Sequence, residues 1–411
     1  MHDLEHIVGG REIGVIVVRA VIVDPALHSL GGHHFTATER LRGILSALDV
    51  EVECWASTDA SDEVISELHA RPIFSHWIYG RNFESHGEFD TFVASTVSEL
   101  RRTLRWKFLQ PDLFILPSCD QVLALALAKA LRFRLGGPPR IVIWLLFAPH
   151  PEKLIDDPSL EPLFEEYRVA FKALRDVCKN DKLISVFCET ERMASAYRRV
   201  IDLPIMVAPG PGVTEPGQVH PLPLKTKMTV TIACLGHATP AKGYGLLPAA
   251  VKSVLAHRED VQFKIHAGIN KADRFPDFSS LQQMASLGSR VTVVGEPLSS
   301  DDYNEWLDYS NFILLPYDAK VYGTRGSGVF TDAAIRGIPT IVTKGCAFAQ
   351  AAIEDGAAVP IDVHNSDGIA RAINLAIEHQ AIITKKAGLF AVKQRSRLSA
   401  GAIIREALAK F

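Results

Sequence analysis

Apolar residues in this chain fall in short runs separated by longer stretches where they recur every three or four positions. The runs at 14–23, 50–56, 113–117, 141–147, 183–187 and 205–208 are rich in Val, Ile, Leu or Phe and do not alternate with polar residues. Parallel strands covered on both faces read this way. The stretches between them, 35–48, 90–109, 120–135, 158–179 and 190–200, carry the helical period. Strand–helix alternation of this kind predicts a doubly wound sheet.

The pattern breaks at Pro209-Gly-Pro-Gly-Val-Thr-Glu-Pro-Gly-Gln-Val-His-Pro-Leu-Pro223, whose prolines and glycines exclude regular structure. It then restarts with strands at 229–236, 262–267, 291–295, 312–316 and 340–343 and helices at 300–309 and 327–336. A final amphipathic helical stretch spans 384–409. The expected organisation is a first α/β domain over 1–211, a proline-rich linker over 212–227 and a second α/β domain over 228–411, with the C-terminal helix able to pack back on the first. Two such domains on a hinge imply a ligand in the cleft between them.

Length and charge narrow the picture. A chain of 411 residues exceeds what one core usually supports. A net charge of -3 excludes a dedicated nucleic-acid binder, which needs a basic surface, but not small anionic ligands. Six scattered cysteines without a Cys-x-x-Cys pair, most of them in or beside apolar runs, point to buried thiols in a reducing compartment. The polar start of the chain lacks the apolar core of a signal peptide, and no apolar run approaches the roughly 18 residues that cross a bilayer. The expected location is cytoplasmic.

Candidate chemistry gathers where strands end. Tyr322-Gly-Thr-Arg-Gly-Ser-Gly-Val-Phe-Thr-Asp332 is a glycine-rich turn opening a helix. Backbone N–H groups and the positive helix end there suit a phosphate, and Asp332, one turn past Gly328, suits a ribose. Gly236-His237-Ala-Thr-Pro-Ala-Lys242-Gly243 ends a strand with a glycine and sets a lysine before a helix, where it can meet a diphosphate or simply be solvated. Gly31-Gly32-His33-His34 follows the first strand, either as a glycine-mediated approach to an anion or as a plain turn. His150, past the strand at 141–147, could face a sugar hydroxyl or sit on a surface loop. The adjacent acidic pairs Asp156-Asp157 and Asp301-Asp302 read as solvated caps.

The order of these patches resembles the GT-B glycosyltransferases, and specifically the retaining family 4, group 1 type. That family has an N-terminal glycine-rich turn, a strand-end histidine, Gly-Arg…Lys-Gly, and a glutamate-rich motif ending Glu-Ala-x-Ala-x-Gly-x-Pro-Val. Here they become Gly31-Gly32, His150, Gly236-His237…Lys242-Gly243, and Ser327-Gly-Val-Phe-Thr-Asp332-Ala-Ala-Ile-Arg-Gly337-Ile-Pro339-Thr. The resemblance spans nearly the whole chain and is strongest over 229–343. The family's arginine is His237, its first glutamate is Thr324, and its second is the shorter Asp332. Ser327-Gly328-Val329 looks like the branch in which a Ser-Gly-Val turn replaces the glutamate turn.

The resemblance implies two Rossmann-like domains facing across a cleft. It implies transfer of a sugar from a nucleoside-diphosphate donor to a hydroxyl of a glycan, lipid-linked or small-molecule acceptor, with retention of configuration and no metal or other cofactor. Polysaccharide synthesis is the usual setting of such proteins. Lys242 and Arg325 would hold the diphosphate with the N–H groups of Gly328 and Val329 and the Ser327 hydroxyl, and Gly236 would lie beside them. Asp332 would take the ribose, Gly295 and Leu298 would border the base, Gly31 and Gly32 would close over the phosphates, and His150 would face the donor sugar. The alternatives are a nucleotide-sugar-binding module without turnover and a nucleotide-sugar epimerase. The basic helix around Arg101–Lys107 reads either as a peripheral membrane contact or as an ordinary helix packing Leu100, Leu104 and Phe108 inward.

Overall fold

The computed structural model describes residues 18–30, 32–76, 83, 85–105, 111–132, 137–149, 160–219, 229–268, 278–296, 298–397 and 399–409. Thirteen strands are assigned among them: β1 (Arg19–Val23), β2 (Glu51–Ser57), β3 (Ala70–Phe74), β4 (Leu113–Leu116), β5 (Arg140–Leu145), β6 (Ile184–Cys188), β7 (Ile205–Val207), β8 (Val230–Cys234), β9 (Val261–His266), β10 (Val291–Val294), β11 (Phe312–Leu315), β12 (Thr340–Thr343) and β13 (Ala358–Ile361). They form two all-parallel sheets, ordered β3-β2-β1-β4-β5-β6-β7 and β10-β9-β8-β11-β12-β13. Helices cover both faces of each. The strand order reverses beside β1 in one sheet and beside β8 in the other, and loops leaving those points are where an open α/β sheet binds ligands.

Two strands lack an expected counterpart, β3 and β13. Both are edge strands and both contain a proline, Pro72 or Pro360, which an edge tolerates and an interior strand does not. The helix Asp62–Leu68, capped by the Ser61 side chain on Val64 N–H, is likewise added.

The chain crosses between the sheets twice. The first crossing begins at Pro209, whose carbonyl accepts from Trp144 Nε1 at 3.1 Å. The second lies between helices Gln380–Arg395 and Ala400–Leu408. The latter helix returns to the first domain, where Ala400, Ile403, Ile404 and Ala407 join Ile22, Leu41 and Leu45 in one core. Arg395 Nε donates to Ile335 O at 2.7 Å and Glu215 Oε1 accepts from Gly401 N–H at 3.1 Å, fixing the crossing at both ends.

All six cysteines are buried thiols. No helix among the described residues is long and apolar enough to cross a membrane. The basic helix runs His86–Arg105, burying Leu100 and Leu104 and exposing Arg101, Arg102 and Arg105; Lys107 and Phe108 lie outside the described residues.

Candidate functional site

The second domain supplies a lysine loop and a helix start. After β8, Gly236 holds a φ of 121°, and a Cβ there would meet Lys242 Nζ at 2.8 Å, so the ammonium lies over this glycine. Lys242 ends the turn Pro240–Lys242, and Gly243 follows with a φ of 72°. A side chain on Gly243 would overlap the carbonyl of Pro316, so glycine lets the loop after β8 lie directly on the loop after β11. Asp318 N–H donates to Ala241 O at 2.8 Å across the same contact. The buried Tyr244 hydroxyl reaches the carbonyls of Gly236 and His266 at 3.0 and 2.5 Å, tying the loop to β9. Lys242 Nζ stands 5.7 Å from the Tyr317 ring centre.

The second part is the turn before helix Gly328–Arg336. Ser327 caps the helix, its Oγ accepting from Phe330 N–H at 3.3 Å. The earlier N–H groups, Gly328 and Val329, have no carbonyl partner within the helix and sit at its positive end. A Cβ built on Gly328 meets nothing within 4 Å, so open space lies before it. The Arg325 guanidinium lies over the Phe147 ring at 4.3 Å, reaching from the second domain to the loop after β5 of the first.

Asp332 is engaged by the protein itself. It is 5% exposed, and its carboxylate accepts from Thr214 N–H at 2.9 Å and from the Tyr303 hydroxyl at 3.1 Å. Arg336 Nη1 stands 3.6 Å away. One methylene shorter than glutamate, the side chain stays among the groups that pack the linker onto the second domain. In this structure the Asp332 carboxylate joins the linker to the second domain.

From the first domain, Gly32 opens helix Gly32–Ser46 with a φ of 74°, and a Cβ there would lie 4.0 Å from His237 Nε2. These two positions face each other across the cleft. His237 Nδ1 donates to Gly268 O, since a carbonyl only accepts. His33 opens to the cleft yet is crowded by protein; that crowding, then His34, Lys242 and His237, hold its pKa well below the usual imidazole value. Behind it the buried His34 Nδ1 lies 2.8 Å from Asp24 Oδ2, and the two imidazole rings are 3.9 Å apart. His266, on the last residue of β9, donates from Nε2 to Glu296 O at 3.2 Å and pins the loop that carries Gly295. Burial, with smaller contributions from His237 and Lys242, lowers its pKa to about 4.

Gly32, His33, His237, Gly236 and Lys242 thus lie together, while Arg325, from the turn before Ser327, Gly328 and Val329, reaches the loop after β5. Gly295 follows β10, and Leu298 is half-buried against the core of the second domain. Gly31 and His150 lie outside the described residues. Sequence reading missed Asp24, Glu189 and His266, all at carboxyl ends of strands. Asp24 and Glu189 each follow a strand directly, a position that could have flagged them. Glu189 is half-buried, and burial pushes its carboxyl up to about 7. Among the described residues no group of three or more His, Cys, Asp or Glu could hold a metal ion.

Residues 229–379 match the family Glycosyl transferases group 1. No curated protein matches the sequence. Solved structures match over nearly its full length. HepE of Anabaena, in complex with UDP and glucose, has a TM-score of 0.63 at 15% identity, covering 96% of this chain and 100% of its own. Sucrose-phosphate synthase of Thermosynechococcus elongatus has a TM-score of 0.65 at 13% identity, covering 96% and 98%. MnaA of S. aureus, in complex with UDP, has a TM-score of 0.58 at 13% identity, covering 96% and 98%. The chain has the GT-B fold of two Rossmann-like domains. Its second domain is a glycosyl transferases group 1 domain, and the resemblance read from the motifs holds there.

Proposed function

We propose that this protein is a retaining, metal-independent glycosyltransferase that moves a sugar from a nucleoside-diphosphate donor to a hydroxyl acceptor in glycan or polysaccharide synthesis. The observation that carries the reading is the start of helix Gly328–Arg336, with open space at Gly328 and the cations Lys242 and Arg325 on loops that reach toward the first domain. Backbone N–H groups, a helix dipole and two cations are what a leaving diphosphate needs as charge develops on it. The group 1 match over 229–379 supports a nucleotide-sugar donor, as do UDP complexes among structures of the same fold.

In this reading Lys242 and Arg325 hold the diphosphate with Gly328 and Val329 N–H and the Ser327 hydroxyl. Gly32 and His33 close over it from the first domain. No protein nucleophile is assigned; the donor phosphate accepts the acceptor's proton. The test is binding and slow hydrolysis across UDP-, GDP- and ADP-sugars, with Lys242→Ala and Arg325→Ala as controls. Tight binding of one donor, lost in both variants and accompanied by hydrolysis, supports the reading. A folded protein that binds none of them refutes it.

One observation favours a second reading, a nucleotide-sugar-binding module without turnover. Asp332 is occupied by Thr214, Tyr303 and Arg336, and Thr324 stands where the family has its first glutamate. Donor binding without hydrolysis or transfer to any acceptor would select it.

A further inference from the structure

The glycine-rich turn that precedes helix Gly328–Arg336 is held from the other domain. Helix Glu191–Arg198 begins directly after Thr190, whose Oγ1 caps it by accepting from Met193 N–H at 3.2 Å and donates to Thr324 O. Arg192 Nη1 donates to Gly323 O and to Gly345 O, both at 3.3 Å. Between these grips stands Glu189. Its carboxyl lies so close to Gly326 that a Cβ on that glycine would overlap it, and a Cβ on Gly210 would stand 2.8 Å from Glu189 Oε1. Gly210 N–H, in the hinge, donates to Glu189, and Arg397, in the second crossing, interacts with it by charge. One side chain therefore touches the hinge and the turn and interacts with the returning segment.

We propose that Glu189 is a positioning residue, the wedge through which the hinge sets the turn Gly323–Ser327 and, with it, the presentation of Arg325 and the Gly328 N–H toward the cleft. The link to a donor rests on the glycosyltransferase reading; the link between hinge and turn does not. Two glycines, Gly210 and Gly326, make room for the contact, and Gly326 accepts no other residue while Glu189 stays in place.

The wedge is also a proton site. Burial raises the Glu189 carboxyl to about 7, against the pull of Gly210 N–H and Arg397. The other titratable groups it interacts with are Tyr322 of the turn's leading helix and Cys188 of β6, both themselves pushed upward. The folded pKa lies above the ordinary carboxylate value. The native seam therefore binds a proton, is tightest at low pH, and loosens as pH rises through 7.

The experiment reads amide protection of residues 323–327 by hydrogen exchange, corrected for the intrinsic pH dependence, at pH 6 and pH 8. Wild type, Glu189→Gln and Glu189→Ala are compared, each with and without UDP-glucose, whose diphosphate diester does not titrate in this range. An obligatory proton with a pKa of about 7 weakens protection of the turn about tenfold from pH 6 to pH 8. Glu189→Gln, which keeps the shape and abolishes the titration, should give the same protection at both pH values. Glu189→Ala should be poorly protected at both. Unchanged wild-type protection, or a Glu189→Gln profile that follows wild type, overturns the proposal. Where UDP-glucose binds, its Kd should rise about tenfold over the same interval in wild type and stay level in Glu189→Gln. pH-dependent protection without nucleotide binding would leave the wedge standing and remove the donor reading. Level protection with nucleotide binding would do the reverse.

Discussion

Replacing Asp332 by alanine separates a hinge residue from a ribose ligand. The substitution leaves the buried Thr214 N–H and the partly buried Tyr303 hydroxyl without their acceptor. Each such loss costs about 1–3 kcal/mol. It also removes the carboxylate 3.6 Å from Arg336, with side chains only 5% and 7% exposed. Arg336 is not orphaned, because Asp308 Oδ1 and Asn304 Oδ1 remain at 3.1 and 2.7 Å. The total is about 3–5 kcal/mol. In a cooperative unit of this size that lowers the melting temperature by roughly 6–20 °C. Asp332→Asn keeps an acceptor for Thr214 and should cost less, about 1–3 kcal/mol. Calorimetry of both variants, alongside nucleotide titration, makes the measurement. Melting within about 1 °C of wild type together with lost nucleotide affinity would refute the reasoning and support the ribose role.

Three further outcomes follow from the geometry. Gly243→Ala forces a left-handed backbone and drives a methyl group into the Pro316 carbonyl, so it should cost about 3 kcal/mol or more in chemical denaturation. Gly328→Ala, with open space before it, should leave stability unchanged or raised by up to about 1 kcal/mol, while weakening binding of a diphosphate at the same place. His266 is neutral in the native protein, with its pKa lowered to about 4, whereas the unfolded chain takes a proton below the ordinary imidazole value of about 6.5. The stability this contributes is complete above 6.5 and is lost as pH falls toward 4, by about 2–3 kcal/mol. Unfolding midpoints from pH 7 to 4 should fall less steeply for His266→Gln.

The sheets were legible because their inner strands are buried on both faces and write continuous apolar runs; β4 and β11 were found within a residue or two. The edge strands were not, since Ala-Arg-Pro-Ile-Phe and Ala-Val-Pro-Ile read locally as turn or loop. In the cleft, glycines and lysine were legible because a left-handed turn and a helix start leave a compositional mark. The environment of Asp332 was not, because its partners Thr214 and Tyr303 are set by tertiary packing across 118 and 29 residues. Glu189 was marked only by its place after a strand; its meaning comes from Gly326, which the fold brings to it from the other domain.

The returning helix Ala400–Leu408 bears on how the chain is made. It fills a side of the first domain's core, against Ile22, Leu41 and Leu45, but is synthesised only after the whole second domain. At translation rates of about 5–20 residues per second, the first sheet waits on the order of ten seconds or more with that apolar face uncovered. A nascent first domain is therefore a natural client for a chaperone that shields such a face, and its core is completed only when helix Ala400–Leu408 docks.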